Sequence, residues 1–305
     1  MTKEKSLSVM DNIGDYILDH ISNSSLENDL ILELPIIFGI NFSVTKHVLM
    51  IWLTSVIVAL VVIIPTRIFL RSKNKVPTGI SNGIEAIVSF IKDSIVKPNI
   101  GSKWSDTWAP LILTYFFFIL VSNGIGLIPI FDFIGASSRF LFGINNGENS
   151  FANKLLHGGV TATGNFWVTS ALSTITFVSI IIAGTMAHGF INHWKNLVPK
   201  GLAWPVYIIL IPIEIIGMFV KPFALTMRLA ANMTGGHIAI LAILSFIPIF
   251  AEVFQTSVAG FGIAFFAVPL VSAITGLEII VTLVQAYVFT LLSAVFIGMA
   301  INVHH

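Results

Sequence analysis

The last third of the chain constrains the fold most. Residues 202–250 are apolar almost throughout, and 261–303 repeat the pattern after a short interruption around Glu252. As one straight helix, 202–250 would be about 73 Å long at 1.5 Å per residue. The hydrocarbon core of a bilayer is only about 30 Å thick. Such a segment either breaks, with Pro205, Pro212, Pro222 and Pro248 as the places to bend, or crosses at a steep tilt. With Pro269 inside the second stretch, the pair reads as a long tilted helical hairpin within a membrane.

The remainder of the sequence agrees with that solvent. Hydrophobic residues make up 55% of the 305 positions and charged residues 10%, against about 25% charged in soluble domains. A net charge of +1 offers no basic field for nucleic acid, and the absence of cysteine excludes disulfides and thiolate chemistry. Residues 48–70, 108–131 and 166–194 supply three further spans beside 202–250 and 261–303. Between the first two, Ile84, Ile87, Val88, Ile91 and Ile95 recur at helical spacing, while Glu85, Lys92 and Asp93 fall on other faces. This is the pattern of an amphipathic helix at the membrane interface. The expected fold is an all-α polytopic membrane protein of about five transmembrane helices and one interfacial helix. It divides into a polar tail over 1–47 and a single membrane domain over 48–305.

Charge sets the orientation. The segments 67–103 and 195–200 carry nine Lys/Arg; the tail 1–47 and the loop 132–165 carry five, with nine acids. The positive-inside rule then puts the N-terminus outside and the C-terminus inside. Internal repeats of the transporter kind are not visible.

Only five residues among Asp, Glu, Lys and Arg occur in 202–303: Glu214, Lys221, Arg228, Glu252 and Glu278. Glu252 belongs at the outer turn of the hairpin. The others fall at membrane depth, where a charge costs about 2.5–3.5 kcal/mol on insertion scales. At roughly 100° per residue, Glu214, Lys221, Arg228 and Asn232 share one stripe of a helix, and His237 points to the opposite face. Glu278 and Gln285, seven residues apart, share a face of the second helix. A guanidinium stays charged in proteins and so cannot relay protons, but it attracts a carboxylate and repels leaking cations. His237 and Glu278 suit an outer half-path and Glu214 an inner one. Ala230, Ala231, Gly235 and Gly236 allow close approach of a partner helix. A static alternative stands beside this, in which Arg228 pairs with Glu214 or Glu278 to hold helices together and the small residues only pack. His157, His188, His193, His304 and His305 read as interfacial or solvated, without metal-ligand spacing.

The string Met227-Arg228-Leu229-Ala230-Ala231-Asn232-Met233, followed by Gly235-Gly236-His237, resembles the core motif of subunit a of F-type ATP synthases. Pro212-Ile213-Glu214 ahead of Lys221-Pro222 agrees in order and spacing, as does Ala109-Pro110-Leu111 through Asn123, Gly126-Leu127 and Pro129. So does Glu278 through Leu283, Gln285, Ala286 and Phe289; the resemblance covers residues 45–303. It implies a proton-translocating stator subunit in a bacterial inner membrane, with the c-subunit ring, peripheral-stalk b subunits and other ATP synthase subunits as partners. Arg228 would face the carboxylate of the c-ring, with Asn232 and Gln285 as its polar neighbours. Glu214 would line the inner half-channel, and His237 and Glu278 the outer one. One departure stands out: in the enteric bacterial pattern the position of His237 is acidic and that of Glu278 is histidine. No cofactor or metal is implied, and without a G-x-x-x-x-G-K-[ST] sequence no nucleotide site of that kind. A self-contained cation/proton secondary transporter is the alternative function.

Overall fold

The computed structural model describes residues 14, 30–37, 40–71, 78–127, 161–196 and 204–302. Most of the tail 1–47, the loop beyond Leu127 with Pro129 and His157, the basic pair Lys73 and Lys75, Lys200, and the terminal His304 and His305 lie outside them. Two minimal antiparallel pairings open the described part, β1 (Leu30–Leu32) with β4 (Val44–Thr45) and β2 (Ile36–Ile37) with β3 (Ile40–Asn41). All other regular structure is helical, and five helices are long and apolar enough to cross a membrane. These are α1 (Lys46–Arg71), α3 (Ser102–Leu127), α4 (Phe166–His188), α6 (Trp204–Val253) and α7 (Ser257–Ile301). The chain is an integral membrane protein of the all-α class.

Prolines and glycines explain where helices bend and stop. A π-helical turn, Ala59–Ile63, lies just ahead of Pro65 in α1. Helix α2 is built from Ile80–Phe90, a second π turn at Ile91–Val96, and Lys97–Ile100 with Pro98. A proline removes the N–H that the carbonyl four residues earlier would accept, and a π turn re-registers the ladder around the gap. In α2 the extra residue also widens the buried stripe, so that Val96 and Ile100 join Ile84, Ile91 and Ile95 in the core. The apolar face expected to meet the interface is therefore covered by protein. Gly189, at φ 82°, ends α4, and the short α5 (Phe190–Lys195) follows; 166–194 is thus a span and a separate turn of helix.

The hairpin arms are unbroken. Helix α6 runs 50 residues, through Pro212, Pro222 and Pro248, and α7 runs 45. At about 1.5 Å per residue both exceed the hydrocarbon thickness more than twofold, which resolves the choice between breaking and tilting against breaking. The turn between them ends α6 with Gln255 at φ 51°, its N–H donating to the Glu252 carbonyl and that of Thr256 to the Ala251 carbonyl. This is a Schellman cap with glutamine where glycine is usual. Glu252 sits in the last turn of α6, beside the hairpin turn.

The chain groups into two compact units. The first comprises Thr54–Val121, Phe166–Leu229 and Val284–His305, and its core joins Ile91, Ile95, Ile100, Ile112, Ile119, Leu225, Leu229 and Ile297. Its C-terminal end is fastened by Asn302, which donates to the Asn99 and Ile100 carbonyls, and by His188 Nε2 at 2.8 Å from the Ile301 carbonyl. Gly298 lies flat against the Asn99 carbonyl, where any Cβ would collide with main chain. The second unit comprises Met1–Leu53, Ser122–Asn165 and Ala230–Leu283. There the hairpin tip closes tightly, a Cβ at Gly260 falling 2.9 Å from that of Ala251.

Two outcomes follow for stability in detergent. Gly298→Ala destabilises by about 1–3 kcal/mol, the range for overpacking against immobile neighbours, whereas Gly217→Ala, with nothing within 4 Å, is tolerated; thermal unfolding of the two variants checks this. His193, on α5 outside the spans, is buried against Gly184, and burial, reinforced by the His188 charge, holds its imidazole below the ordinary 6.5. A lowered folded pKa gives stability that is full above 6.5 and lost as pH falls through the folded value. The melting temperature of the wild type therefore drops more on acidification from pH 7.5 to 5 than that of His193→Gln.

Candidate functional site

Helix α6 carries three of its four charges on one flank. Glu214, Lys221 and Arg228 recur every seven residues, about 20° short of two full turns, so they form a slowly drifting stripe. Within the first unit Leu225, Thr226 and Leu229 turn inward, while Arg228 is exposed and Glu214 and Lys221 are half-buried. Lys221 Nζ lies 5.7 Å from the centroid of the Phe296 ring on α7, a cation–π contact that suits a charge at this depth. Among the described residues Arg228 forms no ion pair, so the helix-holding pairing with Glu214 is not made. Gln285 on α7 belongs to the same unit and is buried.

The exposed surface around the guanidinium is stripped of bulk. Ala224, Ala231 and Gly235, each within about 60° of Arg228 around the helix, are all exposed. Four residues were expected to act together in close packing, and they divide. Ala231 and Gly235 face outward with the arginine, Ala230 is buried, and Gly236 serves the other arm of the hairpin.

The second unit holds the titratable pair. His237 Nδ1 stands 4.0 Å from Glu278 Oε1 and 3.1 Å from the carbonyl of Met233. Glu278 is buried, and its carboxylate occupies the space a Cβ at Gly236 would need. The glycine is therefore required by close approach rather than by backbone conformation. Asn232, on the same helix, is exposed. Sequence reasoning missed a second polar pair in this unit: the Thr163 hydroxyl donates to Asn123 Oδ1, and both residues are fully buried. They are 40 residues apart in sequence, and no local periodicity announces such a contact.

This arrangement can receive and pass protons at His237 and Glu278 and can present a fixed cation to an anionic partner at Arg228. The chain matches the family model described as ATP synthase A chain over residues 48–298. It belongs to that family. Similar proteins include ATP synthase subunit a 2 of Chlorobaculum tepidum, 38% identical over 94% of this chain and 73% of that protein. ATP synthase subunit a 2 of Chlorobium luteolum is 38% identical over 94% of this chain and 75% of its own length. ATP synthase subunit a of an Anaeromyxobacter species is 38% identical over 89% of this chain, which spans 57% of that protein.

For a member of this family the Gly236–Glu278 contact makes a sharp prediction. Gly236→Ala displaces the carboxylate from His237 and lowers ion flux through the reconstituted ATP synthase by roughly ten- to a hundredfold, the scale of loss from misplacing a reacting group. Proton uptake by vesicles carrying the variant complex measures it.

Proposed function

We propose that this chain is the proton-translocating stator subunit of a rotary ATP synthase, in which Arg228 separates two half-channels and faces a ring of c-subunits. The observation that carries the reading is a guanidinium unpaired among the described residues, exposed among small side chains on an unbroken 50-residue apolar helix. A charge in hydrocarbon without an internal partner calls for one supplied from outside. A carboxylate carried on a rotating ring meets that need, and Ala224, Ala231 and Gly235 leave room for it to pass.

The roles follow from charge chemistry. A proton enters from outside by way of His237 and Glu278 and neutralises a ring carboxylate, which then turns through the lipid. When the carboxylate returns, Arg228 favours its ionised form and drives the proton off towards Glu214 and the inner side. The guanidinium stays charged throughout, so a proton cannot shuttle directly between the half-channels. Asn232 and Gln285 serve as its polar neighbours. Peripheral-stalk b subunits and the remaining synthase subunits complete the assembly, and nucleotide chemistry belongs to them. The lysine and arginine distribution supports an N-terminus outside and a C-terminus inside, and the bacterial relatives support a bacterial inner membrane.

Arg228→Ala tests this. In vesicles reconstituted with its partner subunits, the variant assembles but loses ATP-driven proton pumping by at least about a hundredfold, close to 2.7 kcal/mol of barrier. Full pumping by the variant sinks the mechanism. Proton-coupled transport by the purified chain alone, without partners, establishes the secondary transporter instead.

A further inference from the structure

We infer that the buried hydroxyl pair Ser173–Thr226 is a positioning element that fixes the rotation of α6 and so the direction in which Arg228 points. The inference rests on the stator reading above. Within the first unit, Ser173 of α4 and Thr226 of α6 are hydrogen-bonded to one another and almost wholly buried, at 2% and 3% exposure. Thr226 and Arg228 are two residues apart, about 200° around the helix. Holding the hydroxyl inward therefore aims the guanidinium outward.

Apolar packing alone is a weak guide to rotation here. Ile208, Ile209, Ile213, Ile216, Phe219 and Phe223 of α6 are exposed, so much of the outer circumference is as apolar as the packed face. In lipid, turning such a helix neither gains nor loses hydrophobic burial to first order, and van der Waals fit and directional bonds decide. A rotation by one residue position would swing Arg228 through about 100°.

The bond also competes with the helices' own backbones. Thr226 Oγ1 lies 3.0 Å from the Pro222 carbonyl, and Ser173 Oγ 3.0 Å from the Ser170 carbonyl. Each hydroxyl has one proton, so three contacts share two protons and one carbonyl is left without its hydroxyl donor. In the cross-helix bond either hydroxyl can be the donor. One turn further along α4, Thr176 Oγ1 stands 3.4 Å from Ser293 Oγ of α7, again fully buried. Helix α4 thereby offers one hydroxyl to each arm of the hairpin and acts as the post against which both are set.

The experiment uses the reconstituted synthase and measures assembled complex, ATP hydrolysis and protons pumped per ATP. Thr226→Val, which keeps the shape, and Ser173→Ala each lower protons pumped per ATP about threefold. The double variant loses no more than either single one, because both remove the same bond. Thr226→Ser, and the exchanged pair Ser173→Thr with Thr226→Ser, keep the wild-type ratio. An unchanged ratio in the first two variants overturns the inference, even if less complex assembles, and so do losses that multiply in the double variant. Arg228→Ala run alongside separates the two readings: if it still pumps, the stator reading falls. If it does not pump while Thr226→Val keeps the wild-type ratio, only the positioning role falls.

Discussion

In hydrocarbon no water is available to satisfy a backbone carbonyl, and each one left bare costs several kcal/mol. The whole molecule is shaped by that rule. Its long helices continue through prolines because ending in the membrane would expose more main chain than a single missing N–H does. Where the ladder is re-registered, as at the π turn before Pro98, the helix gains a residue and turns a different face to the core. Where it must end, Gly189 and Gln255 adopt left-handed conformations, and the N–H groups of Gln255 and Thr256 are handed back to helix carbonyls. Uninterrupted arms of 50 and 45 residues are what carry Glu214, Arg228, His237 and Glu278 along a single hairpin.

Much of this was legible in the sequence, since hydropathy and length are strong signals for spans. Five spans and an unusually long terminal hairpin follow from apolar runs, and the charge stripe of α6 follows from seven-residue spacing. The break at Gly189 was not legible, because apolar residues continue past it at Phe190, Ile191 and Trp194 and only the backbone angle marks the end. Nor was the fate of the amphipathic α2. Its stripe of isoleucines is the same whether it meets lipid or protein, and contact with α3 and α7 decides the matter.

The polar contacts divide in the same way. Arg228, Glu214 and Glu278 stood out because an isolated charge in an apolar run is conspicuous. Serine and threonine are not: their hydroxyls are tolerated in membrane helices by bonding back to their own carbonyls, as Thr174, Ser179 and Thr290 do here. Nothing in one sequence separates those from Ser173 or Thr163, which reach across 53 and 40 residues to a partner. Such pairs are facts of tertiary structure, visible only once the helices are placed side by side.

The meeting of His237 and Glu278 across the glycine at 236 has a consequence for how this family can vary. Because the imidazole and the carboxyl face each other over a gap with no side chain between, the site holds one acid and one base, whichever helix supplies each. Exchanging their places, as this chain does relative to the enteric pattern, is then a permutation within a single site rather than the loss of two sites. The glycine is the residue that keeps the volume beneath them empty.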